Sequence, residues 1–277
     1  MADKQLVARL KAQAKTVRLT LLEMIYKAQS GHPGGSLSAT EFMTALYFNE
    51  LKVDPQNPKW EDRDRFVLSK GHVCPVLYTC LGLRGYFDTE ILGTLRKEGS
   101  ILQGHPDMKR CPGIDISTGS LGQGISVAVG MAIAGKRDAK NYRVFTLLGD
   151  GETNEGQVWE AAQTAAKYQL DNLVVIVDNN NLQNDDSCDV VMPTLDLAKK
   201  FEAFGFETFA IDGHDMNAVL DAFAAARNKN GKPKCIVGKT VKGKGVSYME
   251  NVVIWHGMAP NDDEYAKAIK DIEEGVF

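Results

Sequence analysis

Apolar residues recur at helical spacing over residues 4 to 28, at Leu6, Leu10, Val17, Leu21, Met24 and Ile25, and the pattern stops at Ser30-Gly31-His32-Pro33-Gly34-Gly35. The spacing predicts an opening helix and then a break. A second helix is expected from Ser38, whose side chain would cap it while Glu41, three residues on, completes a capping box ahead of Phe42, Ala45 and Leu46. RFVLS reads as a short strand running into Lys70-Gly71-His72. From residue 142 the apolar runs VFTLL, LVVIV, TFAI and CIV alternate with helical stretches at 155–169, 196–204 and 216–228. This βαβαβα rhythm predicts an α/β fold: a doubly wound, mainly parallel sheet with helices on both faces. Ligands of such sheets bind at the carboxyl ends of the strands, so the loops after each strand are where chemistry is expected.

Composition narrows the picture. The chain has 277 residues, 44% apolar and 25% charged, as an ordinary soluble globular protein does. With no repeat, low-complexity tract or linker in view, residues 1–277 read as a single domain. A net charge of -4 supplies no basic surplus for a phosphate backbone or an anionic membrane, so nucleic acid and membrane partners are not expected. No run approaches the roughly 20 apolar residues of a membrane span, and the start MADKQLVARLKAQ is charged where a signal peptide would be apolar. A cytoplasmic setting is the expectation. Cys74, Cys80, Cys111, Cys188 and Cys235 form no CxxC pair, which points away from disulfides and thiolate zinc.

The sharpest local feature is VFTLLGDGETNEG, where a strand ends at Gly149-Asp150-Gly151. Asn180 lies 30 residues beyond Asp150, at the end of LVVIV, about one βαβ unit away, so the two strand ends should be neighbours. A carboxylate and an amide in one crevice, with glycines that let a ligand approach the backbone, suit magnesium or calcium holding a phosphate-bearing molecule. Taken singly, Asp150 also reads as a helix cap and Asn179 to Asn181 as a polar turn. The histidines are the second signal. His32, His72, His105, His214 and His256 are all the chain has, and each adjoins a glycine, a placement suited to hydrogen bonding or proton donation from loops. Any one of them alone reads equally as a satisfied loop histidine. Ser117-Thr118-Gly119-Ser120-Leu121-Gly122-Gln123-Gly124 opens a helix crowded with small residues, either to offer backbone N–H groups to a ligand or to pack closely. Gly238-Lys239-Thr240 lacks the spacing of a P-loop and reads as a strand, and GxGxxG is absent.

The GDG strand end with its Asn-containing successor resembles the thiamine diphosphate motif, and with SGHPGGSLS, SKGH, GHPD, STGSLGQGI and WHG the chain resembles transketolase from about Ser30 to His256. The likeness covers the amino-terminal, diphosphate-binding part of a full-length enzyme. It implies one half of a split transketolase, moving a two-carbon ketol unit from a ketose to an aldose phosphate with thiamine diphosphate and magnesium or calcium. By motif, the resemblance makes Asp150, Asn180 and the Leu182 carbonyl the metal ligands. It places Gly119, Ser120, Leu121, Gly151, His72, Lys242 and His256 at the cofactor, and turns His32, His105 and His256 to the sugar. Glu155 and Glu160 match acidic residues at the family's subunit contact. A carboxyl-terminal subunit carrying the pyrimidine-binding domain is the implied partner, in a two-plus-two heterotetramer. One departure is visible: Gln183-Asn184-Asp185-Asp186-Ser187 is more polar than the family's loop and lacks its glycine. A deoxyxylulose phosphate synthase-like or 2-oxo acid dehydrogenase alpha-like subunit would keep GDG and Asn180 but accounts less well for SGHPG with WHG. A noncatalytic assembly subunit would have no need of the metal ligands and histidines.

Overall fold

The computed structural model describes residues 3–275. Helix α1 (Lys4–Ala28) starts where the Asp3 side chain accepts from the Gln5 N–H and stops where Gln29 turns left-handed, with φ 46°. Its buried stripe, Val7, Leu10, Ala14, Val17, Leu21 and Ile25, follows the predicted period. The second helix departs from expectation. It begins at Pro33, whose fixed φ suits a first helical position, and runs as α2 (Pro33–Ser38) and α3 (Thr40–Ala45) into a wide turn at Leu46–Glu50. Ser38 therefore caps nothing: its hydroxyl donates to the Gly35 carbonyl and to Asp178. Glu41 forms no capping box, because Arg18 and His214 claim it. The reason is burial, since two carboxylates and a guanidinium inside the protein need their partners more than a helix end needs a cap.

Strands β1 (Arg65–Leu68), β2 (Val144–Gly149), β3 (Leu173–Asn179), β4 (Glu207–Asp212) and β5 (Lys234–Lys239) form one sheet in the order β1-β2-β3-β5-β4, every neighbouring pair parallel. Helices α4 (Cys74–Arg84), α5 (Gln123–Arg137), α6 (Gly156–Lys167), α7 (Cys188–Val191), α8 (Leu197–Ala203), α9 (Met216–Ala225) and α10 (Asp262–Glu274) complete the chain. Side chains alternate across the sheet. Phe145, Leu147, Val174 and Ile176 enter a core with residues of α1, α3, α4 and α9, while Val144, Leu148, Val175 and Val177 enter a second with α5, α6 and α8. Burial on both faces explains the continuous Val/Ile/Leu runs. Gly149 pairs with Asp178 in the β2/β3 register, so the two strand ends are neighbours as their spacing implies. All five cysteines are buried and free, and no described helix is long and apolar enough to cross a membrane.

Candidate cofactor and cation site

A cavity of about 660 Å³ opens at the carboxyl ends of β1, β2, β3 and β5. It is lined by Gly35, Lys70 and His72, by Gly119 and Leu121, by Asp150, Gly151, Glu152 and Glu155, and by Asn180, Leu182, Lys242 and His256. Segments far apart in sequence thus meet at one edge of the sheet. Their approach depends on missing side chains. A Cβ on Gly71 would lie 2.8 Å from the Gly119 nitrogen, and Gly119 itself has φ +149°, a conformation that favours glycine.

Asp150, Asn180 and Leu182 each bring an oxygen to this cavity. Asp150, at the end of β2, accepts from the Gly151 N–H at 2.8 Å and the Asn181 N–H at 2.5 Å, so it is both cap and site residue. Burial, with the Asp178 carboxylate nearby, pushes its carboxyl up to about 6. The Asn180 Oδ1 accepts from the Leu182 N–H at 3.1 Å. The Leu182 carbonyl already faces a cationic group, accepting from the Lys242 ammonium at 2.9 Å. A carboxylate, an amide oxygen and a carbonyl form a hard donor set of the kind that fits magnesium or calcium. The 183–187 segment closes on itself through the Gln183 N–H and Asp186 carbonyl at 2.8 Å, beside a Leu182–Ser187 bridge.

Four of the five histidines gather here. The rings of His32, His72 and His256 lie 5.1 to 5.5 Å apart, and a Cβ on Gly119 would be 2.9 Å from His105. His72 and His256 line the cavity, with His32 and His105 beside it. Desolvation, then neighbouring cations, lowers all four: His32 to about 4, His256 to about 3, and His72 and His105 below the usual value. They are neutral at physiological pH, each with one N–H to donate and one nitrogen to accept. Lys242, itself lowered to about 8 by burial and Lys70, meets the His256 Nδ1 at 2.7 Å, which puts that ring's proton on Nε2. The His32 Nδ1 is buried without a partner, an atom suited to a polar ligand. His214 stands apart. Its Nε2 accepts from the Val241 N–H at 2.8 Å and its Nδ1 meets Glu41 at 2.9 Å, a structural role.

Two expectations shift. Ser120 is exposed and does not line the cavity, although its neighbours do. The turn into α5 directs its Gly122 N–H inward to Glu152 at 2.9 Å, so that donor serves the fold and not a ligand. Sequence reading missed Glu152, Lys70 and Asp178. Glu152 is buried and accepts from the Ser69 hydroxyl and from the Gly122 and Gly149 N–H groups, tying three loops together. Lys70 and Asp178 form a buried ion pair. Burial alone would raise the Asp178 carboxyl, but the Lys70 ammonium and the Ser38 and Thr240 hydroxyls hold it below the usual range. The signal for both was a charged residue set flush against the end of an apolar strand.

The family described as "Transketolase, thiamine diphosphate binding domain" matches residues 10–273. The chain is 44% identical over 265 residues to the 6-deoxy-6-sulfo-D-fructose transketolase subunit SqwG of Clostridium sp. (strain MSTE9), covering 96% of each. It is 42% identical over 270 residues to one of the subunits of the apulose-4-phosphate transketolase of Phocaeicola vulgatus, covering 98% of this chain and 96% of that one. The solved transketolase of Campylobacter jejuni superposes with a TM-score of 0.90 at 36% identity, over 95% of this chain but only 42% of that one.

Proposed function

The chain belongs to the transketolase family as its thiamine diphosphate-binding domain, and from that premise we propose that it is the diphosphate-binding subunit of a two-chain transketolase. The observation that carries this reading is the cavity itself, which brings the Asp150, Asn180 and Leu182 oxygens, the Lys70 and Lys242 ammonium groups and the histidine cluster to one edge of the sheet. Asp150, Asn180 and Leu182 would hold a divalent cation, and Lys242 and His72 would face the cofactor's diphosphate. Thiamine diphosphate supplies, when bound, the carbon nucleophile that ketol transfer requires. This chain's residues bind and orient. The neutral His32, His105 and His256 donate hydrogen bonds to sugar oxygens where negative charge develops on a carbonyl, at positions fixed by glycine-bounded loops. The substrates proposed are a ketose and an aldose phosphate, in carbohydrate metabolism and in a cytoplasmic setting.

The mouth of this cavity supports a partner. Leu121 and Met192 line it and are exposed, Val190 and Leu195 are 70% and 74% exposed nearby in sequence, and Glu155 and Glu160 are exposed on the segment after Gly151. A second chain carrying the pyrimidine-binding domain would cover this rim in a two-plus-two heterotetramer. The test is two-carbon transfer from a ketose phosphate with thiamine diphosphate and Mg²⁺, assayed with this chain alone and with the chain mixed with a carboxyl-terminal transketolase partner. Turnover is expected only from the mixture. Full turnover by the single chain would overturn the split-enzyme reading.

A further inference from the structure

Asp178 lies near the end of β3, fully buried, and four side chains donate to its carboxylate: Ser38 from α2, Lys70 after β1, Thr240 after β5, and Asn180 two residues on. The Asn180 contact bears on the cation site. A carboxylate ringed by donors offers only acceptors, so the Asn180 group 3.3 Å from Asp178 Oδ2 has to be its NH₂. The other end of the amide accepts from the Leu182 N–H at 3.1 Å and has to be the oxygen. Both bonds fail if the amide turns over. Without Asp178 only the 3.1 Å bond from the Leu182 N–H would still favour this orientation, since the two ends of the amide have nearly the same shape, and a turned amide would present an NH₂ to a cation.

We infer that Asp178 is a positioning residue: it fixes the Asn180 amide with its oxygen toward the cation site and never touches the ion itself. Lys70 and the two hydroxyls hold the carboxylate in place for this task, binding it from three further segments. The inference rests on the proposed cation site, and it adds a residue that supports a ligand from behind, a kind of partner whose loss costs about 10- to 100-fold in metal affinity.

The experiment is a Mn²⁺ titration of the full chain with saturating thiamine diphosphate, free ion being read from its electron paramagnetic resonance signal. Asp178→Asn keeps the shape of the side chain but loses its acceptor-only character, and is expected to weaken Mn²⁺ binding by about tenfold or more. Adding Asn180→Asp to that variant supplies an oxygen whichever way the side chain turns, and should bring the affinity back to within about threefold of the parent. A general distortion of the pocket would not be rescued in this way. If Asp178→Asn unfolds because the Lys70 ammonium is left buried and unpaired, the same comparison is made in a Lys70→Met background, against Lys70→Met alone. Unchanged Mn²⁺ affinity in Asp150→Ala would mean that the cation site is misassigned. Loss in Asp150→Ala together with unchanged affinity in Asp178→Asn, or failure of the Asn180→Asp rescue, would overturn the positioning role and leave the site standing.

Discussion

Two glycines of one helix provide a matched test of how closely α5 has to approach the end of β1. An alanine at Gly124 would put its Cβ 2.6 Å from the Ser69 Oγ and 2.7 Å from the Ser69 Cα, so backbone has to move by more than half an ångström to reach ordinary contact. An alanine at Gly130 would meet nothing within 4 Å. Both substitutions gain about 0.5–1 kcal/mol from helix propensity, so the difference between them isolates the clash. Overpacking of this kind costs about 1–3 kcal/mol. Gly130→Ala is therefore expected to be stabilised by about 0.5–1 kcal/mol, and Gly124→Ala to fall about 1–3 kcal/mol below it. For a chain of this size that separation corresponds to roughly 2–5 °C in melting temperature, read by circular dichroism. Ser69 also donates to Glu152 and precedes Lys70, so Gly124→Ala should in addition weaken thiamine diphosphate retention while Gly130→Ala leaves it unchanged. Equal melting temperatures for the two variants would refute the packing argument outright.

Glu152→Ala leaves the buried Gly122 and half-buried Gly149 N–H groups without their acceptor, at about 1–3 kcal/mol each, and urea denaturation should show a loss of about 2–6 kcal/mol; a loss under about 1 kcal/mol would mean these loops are not tied through Glu152. Because His32 and His256 are lowered to about 4 and about 3, the unfolded chain takes up protons that the folded chain refuses as pH drops below the ordinary histidine value near 6.5. Stability should therefore decline from about pH 6.5 toward pH 4, and His32→Asn or His256→Asn should flatten that slope, whereas slopes equal to the parent's would contradict the burial argument. Asp150→Ala should abolish Mg²⁺-dependent retention of thiamine diphosphate; calorimetry showing equal cofactor affinity in that variant, or in the parent with chelator present, would remove Asp150 from the cation site.

The sheet was legible because its strands are continuous apolar runs set between helices, and the meeting of Asp150 and Asn180 at one cavity because they stand one βαβ unit apart at the ends of such runs. The histidine cluster was legible only as a pattern of glycine neighbours, which also drew in His214, a residue whose two ring nitrogens are spent inside the fold. The Ser38 cap went wrong for a physical reason: local motif chemistry lost to the buried Asp178 and to the Arg18–Glu41–His214 group, neither of which has a local signature. Glu152 escaped notice because its three donors come from Ser69, Gly122 and Gly149, a set that only the folded chain brings together.

The cavity has no element of its own. It exists where the ends of four strands and the Gly119 stretch converge, so no isolated segment of the chain carries a binding surface. Occupancy and global folding are then thermodynamically linked. A ligand held only by the native state at a hundred times its dissociation constant adds about 2.7 kcal/mol to the free energy of unfolding. The supply of thiamine diphosphate in a cell would thus regulate how long this polypeptide survives proteolysis. Starvation for it should show as a shorter protein half-life before any change in synthesis.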